Sequence, residues 1–411
     1  MAGFRELARN HDFSVLWIGQ TVSELGARMS SFVFPIIGFA LTGSAFWAAS
    51  VEAVHLLGIV GMLLPGGLWA DRLDRARLMR TSTLLGFAAY ASVTVAGVSG
   101  HLTTPHLLVA ALAAGVATGL FEPAESSAIR SLVSDEELPT AYSQMQAREH
   151  IASLLGGPIG GVLYGVARWL PFLADALSYA FMWVLLHRLR TPLPGLATGT
   201  SGPLQDVAEG LRFSWSTPFF RVLMVWAPLM NLVANAVALL AILRLVQAGT
   251  APATIALVEV AAGVAGILGA VIAPWLIERI PTGMLSVVLA WFSVPLLVPL
   301  AFWNSPIVVG AMLVLVLLVN PAGNAGIGAY RTAITPRELL GRTRSAMQFV
   351  SMSAMPLAPL VAGGLLTHFG GRDSVLVMAL LLVGVALIPT LSTSVRSVPR
   401  PAVWRVERMA A

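Results

Sequence analysis

The chain has 411 residues, of which 57% are hydrophobic and only 11% are charged. Soluble globular domains carry about 25% charged residues, so this composition excludes a soluble protein and indicates an integral membrane protein. The pI near 10.3 reflects 25 basic residues. All of them are arginines, and most lie between apolar stretches, a pattern that indicates membrane topology and argues against nucleic-acid binding.

Long apolar runs predict an all-α membrane protein with about twelve transmembrane helices, since a helix needs about 20 apolar residues to cross a bilayer. The first run follows a polar start and is long enough to remain in the membrane, so we do not expect a cleaved signal peptide. The predicted spans are 14–41, 45–70, 78–99, 105–131, 141–166, 169–188, 219–247, 252–277, 284–303, 306–333, 343–369 and 374–394.

Arginine is unevenly shared between the loops at the two ends of these spans. One set of loops, together with both termini, holds most of the arginines, whereas the opposite set holds only Arg168 and Arg372. The positive-inside rule therefore predicts that both termini are cytoplasmic, which requires an even number of spans. The arginine and alanine usage favours a bacterial protein of the cytoplasmic (inner) membrane.

The longest polar stretch divides the chain near its middle. We expect a six-helix bundle in 1–190, a cytoplasmic linker in 191–218, a second six-helix bundle in 219–395 and a cytoplasmic tail in 396–411. Within the linker, Leu204, Val207 and Leu211 recur at helical spacing, which predicts an amphipathic helix on the inner membrane surface. A simple tether accounts for the stretch equally well.

The two halves carry matching features about 200 positions apart, which indicates an internal duplication. Duplicated six-helix halves are the plan of many secondary transporters. The matched pairs are Asp71-Arg72 with Glu278-Arg279, Pro123-Ala124 with Pro321-Ala322, and Gly160-Gly161 with Gly363-Gly364.

The loop after the second span reads GGLWADRLDRARLMR, from Gly66 to Arg80. It resembles the signature G-x-x-x-D-R-x-G-R-[KR] between helices two and three of the Major Facilitator Superfamily (MFS). The form ADRLDRARLM, together with FxxLWIGQTVSELG, LTGSA, PFLADALSY and EGLRF elsewhere, is similar to the macrolide-efflux and enterobactin-exporter branch of the drug:proton antiporters. Four features depart from the family pattern: Asp74 replaces the second glycine of the signature, Ala76 stands at its third basic position, span four lacks the arginine found near its outer half in many proton antiporters, and Pro158 is displaced by one residue.

The resemblance implies an MFS fold and a conformational latch in this loop. In the family, the aspartate of the signature meets the N-terminal end of span eleven, and its arginines tie neighbouring helix ends together. An anion suits the positive end of a helix. The alternative is that these arginines only fix topology. The latch residues are Gly67, Asp71, Arg72, Asp74, Arg75 and Arg77.

Ionisable residues inside the spans are candidates for function, because burying charge in a membrane is costly. Glu24 lies about 15 Å into the first span, near the midplane, and Arg28 follows on the same face. One interpretation is that Glu24 and Arg28 form a permanent, structural ion pair. The other is functional: a substrate or a proton breaks the pair. The other candidates for proton coupling or cavity lining are Glu122 and Glu125, then Glu52 and His55.

Glu122 and Glu125 share a face beside a proline break. Two charged carboxylates this close repel, which favours binding of a proton by one of them. Asn231, Asn235, Asn320 and Asn324 are predicted to line a polar cavity in the second half. Small residues let helices pack closely, and the predicted packing glycines are Gly156, Gly157, Gly160, Gly161, Gly363 and Gly364.

These features predict a secondary active transporter that exports a small apolar or cationic compound by proton antiport with alternating access. The alternatives are an importer or facilitator of a nutrient and, in another class, a non-transporting membrane sensor. We expect no enzyme, since the chain lacks lysine for a phosphate-binding loop and shows no metal-ligand spacing. The expected partners are substrate, protons and lipid, without cofactor or nucleic acid, for a monomer driven by the proton gradient.

Overall fold

The computed structural model describes residues 7, 9–134, 137–195, 203–336, 339–400 and 403. Within these ranges, the side chains of residues 71, 139, 143, 146, 203–207, 340 and 341 lie outside the description. The elements of the described chain are helices. They fall into two compact units, Met1–Pro203 (unit 1) and Leu204–Ala411 (unit 2), which divide inside the stretch predicted to be a linker.

Unit 1 contains six long helices. They are α1 (His11–Thr42), α2 (Ala45–Arg72), α3 (Arg75–Val98), α4 (Thr104–Leu132), α5 (Leu138–Val166) and α6 (Leu170–Leu186). Unit 2 begins with a shorter helix and ends with a single turn. Its helices are α7 (Pro203–Ser216), α8 (Pro218–Gln247), α9 (Pro252–Arg279), α10 (Thr282–Phe302), α11 (Pro306–Ile334), α12 (Leu340–Ser353), α13 (Leu357–Leu391) and α14 (Thr393–Arg396).

Side-chain caps fix where several helices begin. The Asn10 side chain accepts a hydrogen bond from the backbone N–H of Phe13 at 3.1 Å, and it donates to the carbonyl oxygen of Leu132 at 2.7 Å. Thr103 caps α4 in the same way. Such caps satisfy backbone donors that the first helical turn leaves free. Proline in the first turn, where its missing N–H costs nothing, starts α4 to α6, α8, α9 and α11.

The prediction of one unbroken span over 343–369 is wrong. The helix ends at Ser353 and restarts at Leu357, because Pro356 lacks a backbone N–H and disfavours helical geometry at the residue before it. A second break follows at Gly370, whose φ of 74° and ψ of 177° suit glycine alone. Gly370 therefore separates the eleventh membrane crossing from the twelfth within α13.

Nine of the described helices are long and apolar enough to cross a membrane. One of these stretches, Arg342–Leu391, contains the break at Gly370 and so supplies two crossings. The apolar helix Leu170–Leu186 and the helix Leu138–Val166, whose first half is polar, complete the set. The prediction of an all-α fold with about twelve transmembrane helices is confirmed.

The same helix pair packs closely in each unit. In unit 1, a side chain at Gly115 of α4 would meet the backbone of α2 at His55 and Gly58. In unit 2, a side chain at Gly269 of α9 would meet the backbone of α11 at Leu318. The second and fourth membrane-crossing helices of each unit, α2 with α4 and α9 with α11, therefore lie against each other through glycine, as expected of duplicated halves.

Both ends of the linker region are bonded to their own unit. The Asp12 carboxylate of α1 accepts hydrogen bonds from the backbone N–H groups of Arg190 and Thr191 at 3.1 and 2.8 Å. In unit 2, Glu209 of α7 pairs with Arg342 of α12. A helix thus occupies 203–216, while Leu204 and Val207, on which its amphipathic pattern rests, have side chains outside the described part.

Candidate functional site

The loop between α2 and α3 consists of Leu73 and Asp74. Asp74 accepts a hydrogen bond from the backbone N–H of Arg77 at 2.7 Å and so caps α3. This cap gives the aspartate a physical reason to stand where the MFS signature has glycine. Arg72 and Arg77 are exposed, and the predicted contact of Asp71 with span eleven concerns a side chain outside the described residues.

Arg75 is the buried residue of this loop signature. Its Nε donates to the carbonyl oxygen of Ala70 at 3.1 Å, and its Nη1 donates to Ser131 Oγ at 2.9 Å. One guanidinium therefore joins the end of α2 to the end of α4. The close approach of α2 to α4 occurs at Gly66, where an added side chain would meet the backbone of Gly119. A Cβ added at Gly67 would have no described atom within 4 Å.

Replacing Arg75 with glutamine (R75Q) should lower the free energy of unfolding by about 2 kcal/mol, since it removes charge-assisted hydrogen bonds to two helix ends. Denaturation of the purified protein in detergent measures this change. The matched control is Arg77→Gln, which removes an exposed guanidinium from the same turn of the helix. Equal losses in the two variants would contradict a bracing role for Arg75.

Five charged side chains from three helices form what we name the charge cluster of unit 1: Glu24, Arg28, Glu125, Arg148 and Glu149. Arg28 Nη2 lies 3.3 Å from Glu24 Oε1 and 3.5 Å from Glu149 Oε1. Arg148 Nη1 lies 2.8 Å from Glu125 Oε1, and its Nε lies 3.5 Å from Glu24 Oε2. Arg148 therefore links α1 to α4, and the cluster has one more carboxylate than guanidiniums.

The two sides of the cluster differ in burial. The Arg148 and Glu125 side chains are each 5% exposed, whereas those of Arg28 and Glu149 are 42% and 49% exposed. Glu24, at 16% exposed, lies between the buried pair and the exposed pair. Attraction between the two buried charges stabilises the pair. Removal of one partner leaves the other charge unpaired in a low-dielectric site.

Glu125 does not pair with Arg130, although the two lie close together in the sequence. Arg130 is exposed and donates to the Tyr142 hydroxyl at 3.4 Å. The salt-bridge partner is Arg148, 23 positions away on α5. No feature of the sequence singled out Arg148, since two helices must pack before the pair exists.

Glu122 lies one turn before Glu125 on α4, and its side chain is exposed. Its electrostatic neighbours include the three carboxylates of the charge cluster, together with Arg28. Among the residues that the structure describes, no cation lies within ion-pair distance of its carboxylate. It is thus an accessible carboxylate without a direct counter-ion at the edge of an acidic cluster.

Glu52 and His55 belong to the interior of unit 1, and Arg28 of the charge cluster is an electrostatic neighbour of Glu52. The buried His55 ring is 3.2 Å from the carbonyl oxygen of Ala111 and packs against Phe34 with ring centroids 5.5 Å apart. Glu52 Oε2 is buried and has no hydrogen-bond partner among the described atoms. His55 therefore serves helix packing here.

The predicted packing glycines divide into two groups. Gly156, Gly157, Gly160 and Gly161 are buried in α5, and side chains at Gly156 and Gly160 would strike the backbone of α1 at Arg28 and Met29. Gly363 is also buried. No described atom lies within 4 Å of the position that a Cβ at Gly364 would take, so close helix packing at Gly364 stays a prediction.

Unit 2 contains a cavity of about 440 Å³, which we name the asparagine cavity. It is lined by α8, α10, α11, α12 and α13, mostly with apolar side chains, and it includes all four of the predicted asparagines: Asn231, Asn235, Asn320 and Asn324. The structure therefore brings together two pairs that lie 89 positions apart in the sequence, from Asn231 to Asn320.

Hydrogen bonds hold the amides of the asparagine cavity. Asn231 Nδ2 donates to Ser351 Oγ at 2.7 Å, and Asn324 Nδ2 donates to Asn320 Oδ1 at 2.7 Å. Trp226 also lines the cavity, and its buried Nε1 has no partner among the described atoms. The sequence did not single out Trp226, because one tryptophan among many apolar residues carries no signal of its surroundings.

Comparisons with known proteins agree with this architecture. The sequence profile of the Major Facilitator Superfamily matches residues 16–359. The chain is 25% identical over 388 residues to the multidrug efflux pump Tap of Mycolicibacterium fortuitum, a match that covers 88% of this chain and 91% of Tap. It is 29% identical over 175 residues to the multidrug resistance protein MdtH of Cronobacter sakazakii, covering 39% of this chain and 42% of MdtH.

Solved structures share the fold at low sequence identity. A bacterial homologue of the human lysosomal transporter Spinster is 16% identical, with a TM-score of 0.74 over 96% of this chain and 98% of that chain. The nucleoside transporter NupG is 11% identical, with a TM-score of 0.74 over 92% of this chain and 99% of NupG. At these identities the likeness concerns the fold alone.

Proposed function

The chain belongs to the Major Facilitator Superfamily, and from that premise we propose that it exports small apolar or cationic compounds in exchange for protons. It is a multi-pass membrane transporter of small molecules. The observation that carries proton exchange is the accessible carboxylate of Glu122, without a direct counter-ion, beside the charge cluster. The observation that favours export is the match over most of the chain to a pump named for multidrug efflux.

Proton binding at Glu122 follows from the local electrostatics. Neighbouring carboxylates disfavour a further negative charge, and a bound proton removes it. A cationic substrate relieves the same repulsion, so substrate and proton compete for one acidic region. Because substrate and proton exclude each other, the protein carries substrate outward in one step and a proton inward in the next, through alternating access of the two halves.

The asparagine cavity suits a mostly apolar compound. Its volume of about 440 Å³ lies within the range of cavities that bind drug-sized molecules. Its amides can donate and accept hydrogen bonds without demanding a charge on the ligand. No carboxylate is among its described lining residues, so this cavity offers a ligand apolar contact and hydrogen bonds rather than the negative charge of a carboxylate.

We place the protein as a monomer in a bacterial cytoplasmic membrane, with both termini on the cytoplasmic side. The distribution of arginine between the two sets of loops supports this orientation. The energy source in this proposal is the proton gradient alone, and no cofactor takes part.

Transport in proteoliposomes with an imposed pH gradient tests the proposal. A panel of cationic and neutral antibiotics is offered, and compound flux and internal pH are recorded together. Proton antiport requires that one compound moves against its gradient and dissipates the pH gradient only when protein is present. Flux without proton movement would replace antiport with facilitation. Proton and compound moving in the same direction would indicate an importer.

A further inference from the structure

A second cavity of unit 2, with a volume of about 500 Å³, lies where α11 ends and α12 begins. The charge pattern predicts that this end of the unit faces the cytoplasm. Three threonines and two arginines supply its polar lining: Thr332, Thr335, Thr343, Arg331 and Arg344. We name it the arginine–threonine pocket. Arg331 also lines one part of the asparagine cavity.

The arginine–threonine pocket carries positive charge that its described lining does not neutralise. Arg331 in the last turn of α11 and Arg344 in α12 are close enough to repel each other. No carboxylate is among the described lining residues. Two like charges held together in a cavity disfavour the empty state and favour an anion between them.

The start of α12 adds to this positive field. The helix begins without a side-chain cap and has no acidic residue in its first turn. Among the described residues no side chain caps its first N–H groups, so the positive end of the helix dipole adds to the field of the two arginines. Thr343 and Arg344 lie about one turn into this helix.

A buried hydroxyl in the pocket has no partner. The Thr343 residue is 3% exposed, and its Oγ has no hydrogen-bond partner among the described atoms. By contrast, the hydroxyls of Thr335 and Thr332 donate to helix carbonyl oxygens, at 2.7 and 3.0 Å. Leaving a buried hydroxyl unpaired costs free energy, which a bound acceptor oxygen would recover. The Thr343 hydroxyl is thus available to donate a hydrogen bond to a bound ligand.

We propose that the arginine–threonine pocket binds a phosphate group. Arginine pairs with phosphate oxygens through parallel N–H donors, and a tetrahedral oxyanion can meet two guanidiniums and a hydroxyl together. The phosphate belongs either to the head group of an anionic lipid or to a free phosphate in the cytoplasm. The proposal is independent of the substrate and of proton coupling.

The test uses the full chain in nanodiscs. In one arm the discs contain phosphatidylcholine alone, and inorganic phosphate is titrated while binding is followed by calorimetry. In the other arm the discs contain added phosphatidylglycerol, and the lipids that stay with the protein after detergent extraction are counted by native mass spectrometry. Binding in the first arm identifies a free phosphate as the ligand, and retention in the second identifies a lipid.

Three variants and one control decide whether the pocket is responsible. R331Q and R344Q should each weaken binding about tenfold, and T343V about threefold, since each removes one donor to the phosphate. The control is Arg279→Gln, which removes an arginine that stacks on Trp275, 4.2 Å from the ring centroid, at the end of α9. Absence of phosphate binding in both arms would overturn the proposal, as would equal weakening in R279Q.

Discussion

Replacing Arg148 with glutamine (R148Q) should lower the free energy of unfolding by about 3–5 kcal/mol, because the variant leaves the Glu125 carboxylate buried without its counter-ion. The pair is 2.8 Å apart, and each side chain is 5% exposed, so water cannot replace the lost partner. The Glu24 carboxylate loses its contact with Arg148 at the same time. Equilibrium denaturation in mixed detergent micelles measures the change.

The double variant E125Q/R148Q is the matched control for R148Q. Removal of both charges removes the stranded carboxylate, so most of the lost stability should return, as for other buried pairs replaced together. If R148Q alone unfolds at the wild-type denaturant concentration, Glu125 is hydrated or neutral in the folded protein, and the pair does not hold α4 to α5. A double variant no more stable than R148Q would also count against the electrostatic explanation.

Replacing Glu122 with glutamine (E122Q) should abolish compound-dependent proton movement, and the variant should bind a cationic substrate at every pH with the weaker affinity of the protonated wild type. Glutamine keeps the shape of the side chain and cannot exchange a proton. In the wild type, a cationic substrate should bind more tightly as the pH rises, because fewer protons compete for the carboxylate; in E122Q this pH dependence should vanish. Proton flux in proteoliposomes and binding titrations across the pH range measure the two effects.

The matched control for E122Q is Glu278→Gln, which neutralises an exposed carboxylate at the end of α9. It should transport compound and protons as the wild type does. Full proton-coupled transport by E122Q would remove Glu122 from the coupling role. In that case Glu24, the cluster carboxylate that bridges the two arginines, becomes the residue to test next.

The membrane spans could be predicted closely from the sequence, because hydropathy is a local property. The second span was expected at 45–70 and the helix covers Ala45–Arg72; the eighth was expected at 252–277 and the helix covers Pro252–Arg279. The Glu24–Arg28 pair was also accessible, since a spacing of four residues on one helix fixes its geometry.

Contacts between helices could not be predicted in the same way. The partner of Glu125 depends on which face of α5 meets α4, and hydropathy does not encode that choice. The same limit applies to Gly364: a glycine in the sequence permits close packing but does not show which helix, if any, packs against it.

The turn at Gly370 and the two-residue turn at Gly43 and Ser44 have a consequence for which macromolecules can recognise the protein. In the orientation that we propose from the charge pattern, both turns would face away from the cytoplasm. A left-handed glycine closes each of them in one or two residues, so they offer almost no extended backbone. An antibody or a protease binds several exposed residues in a row, so these two turns offer such macromolecules little surface to bind.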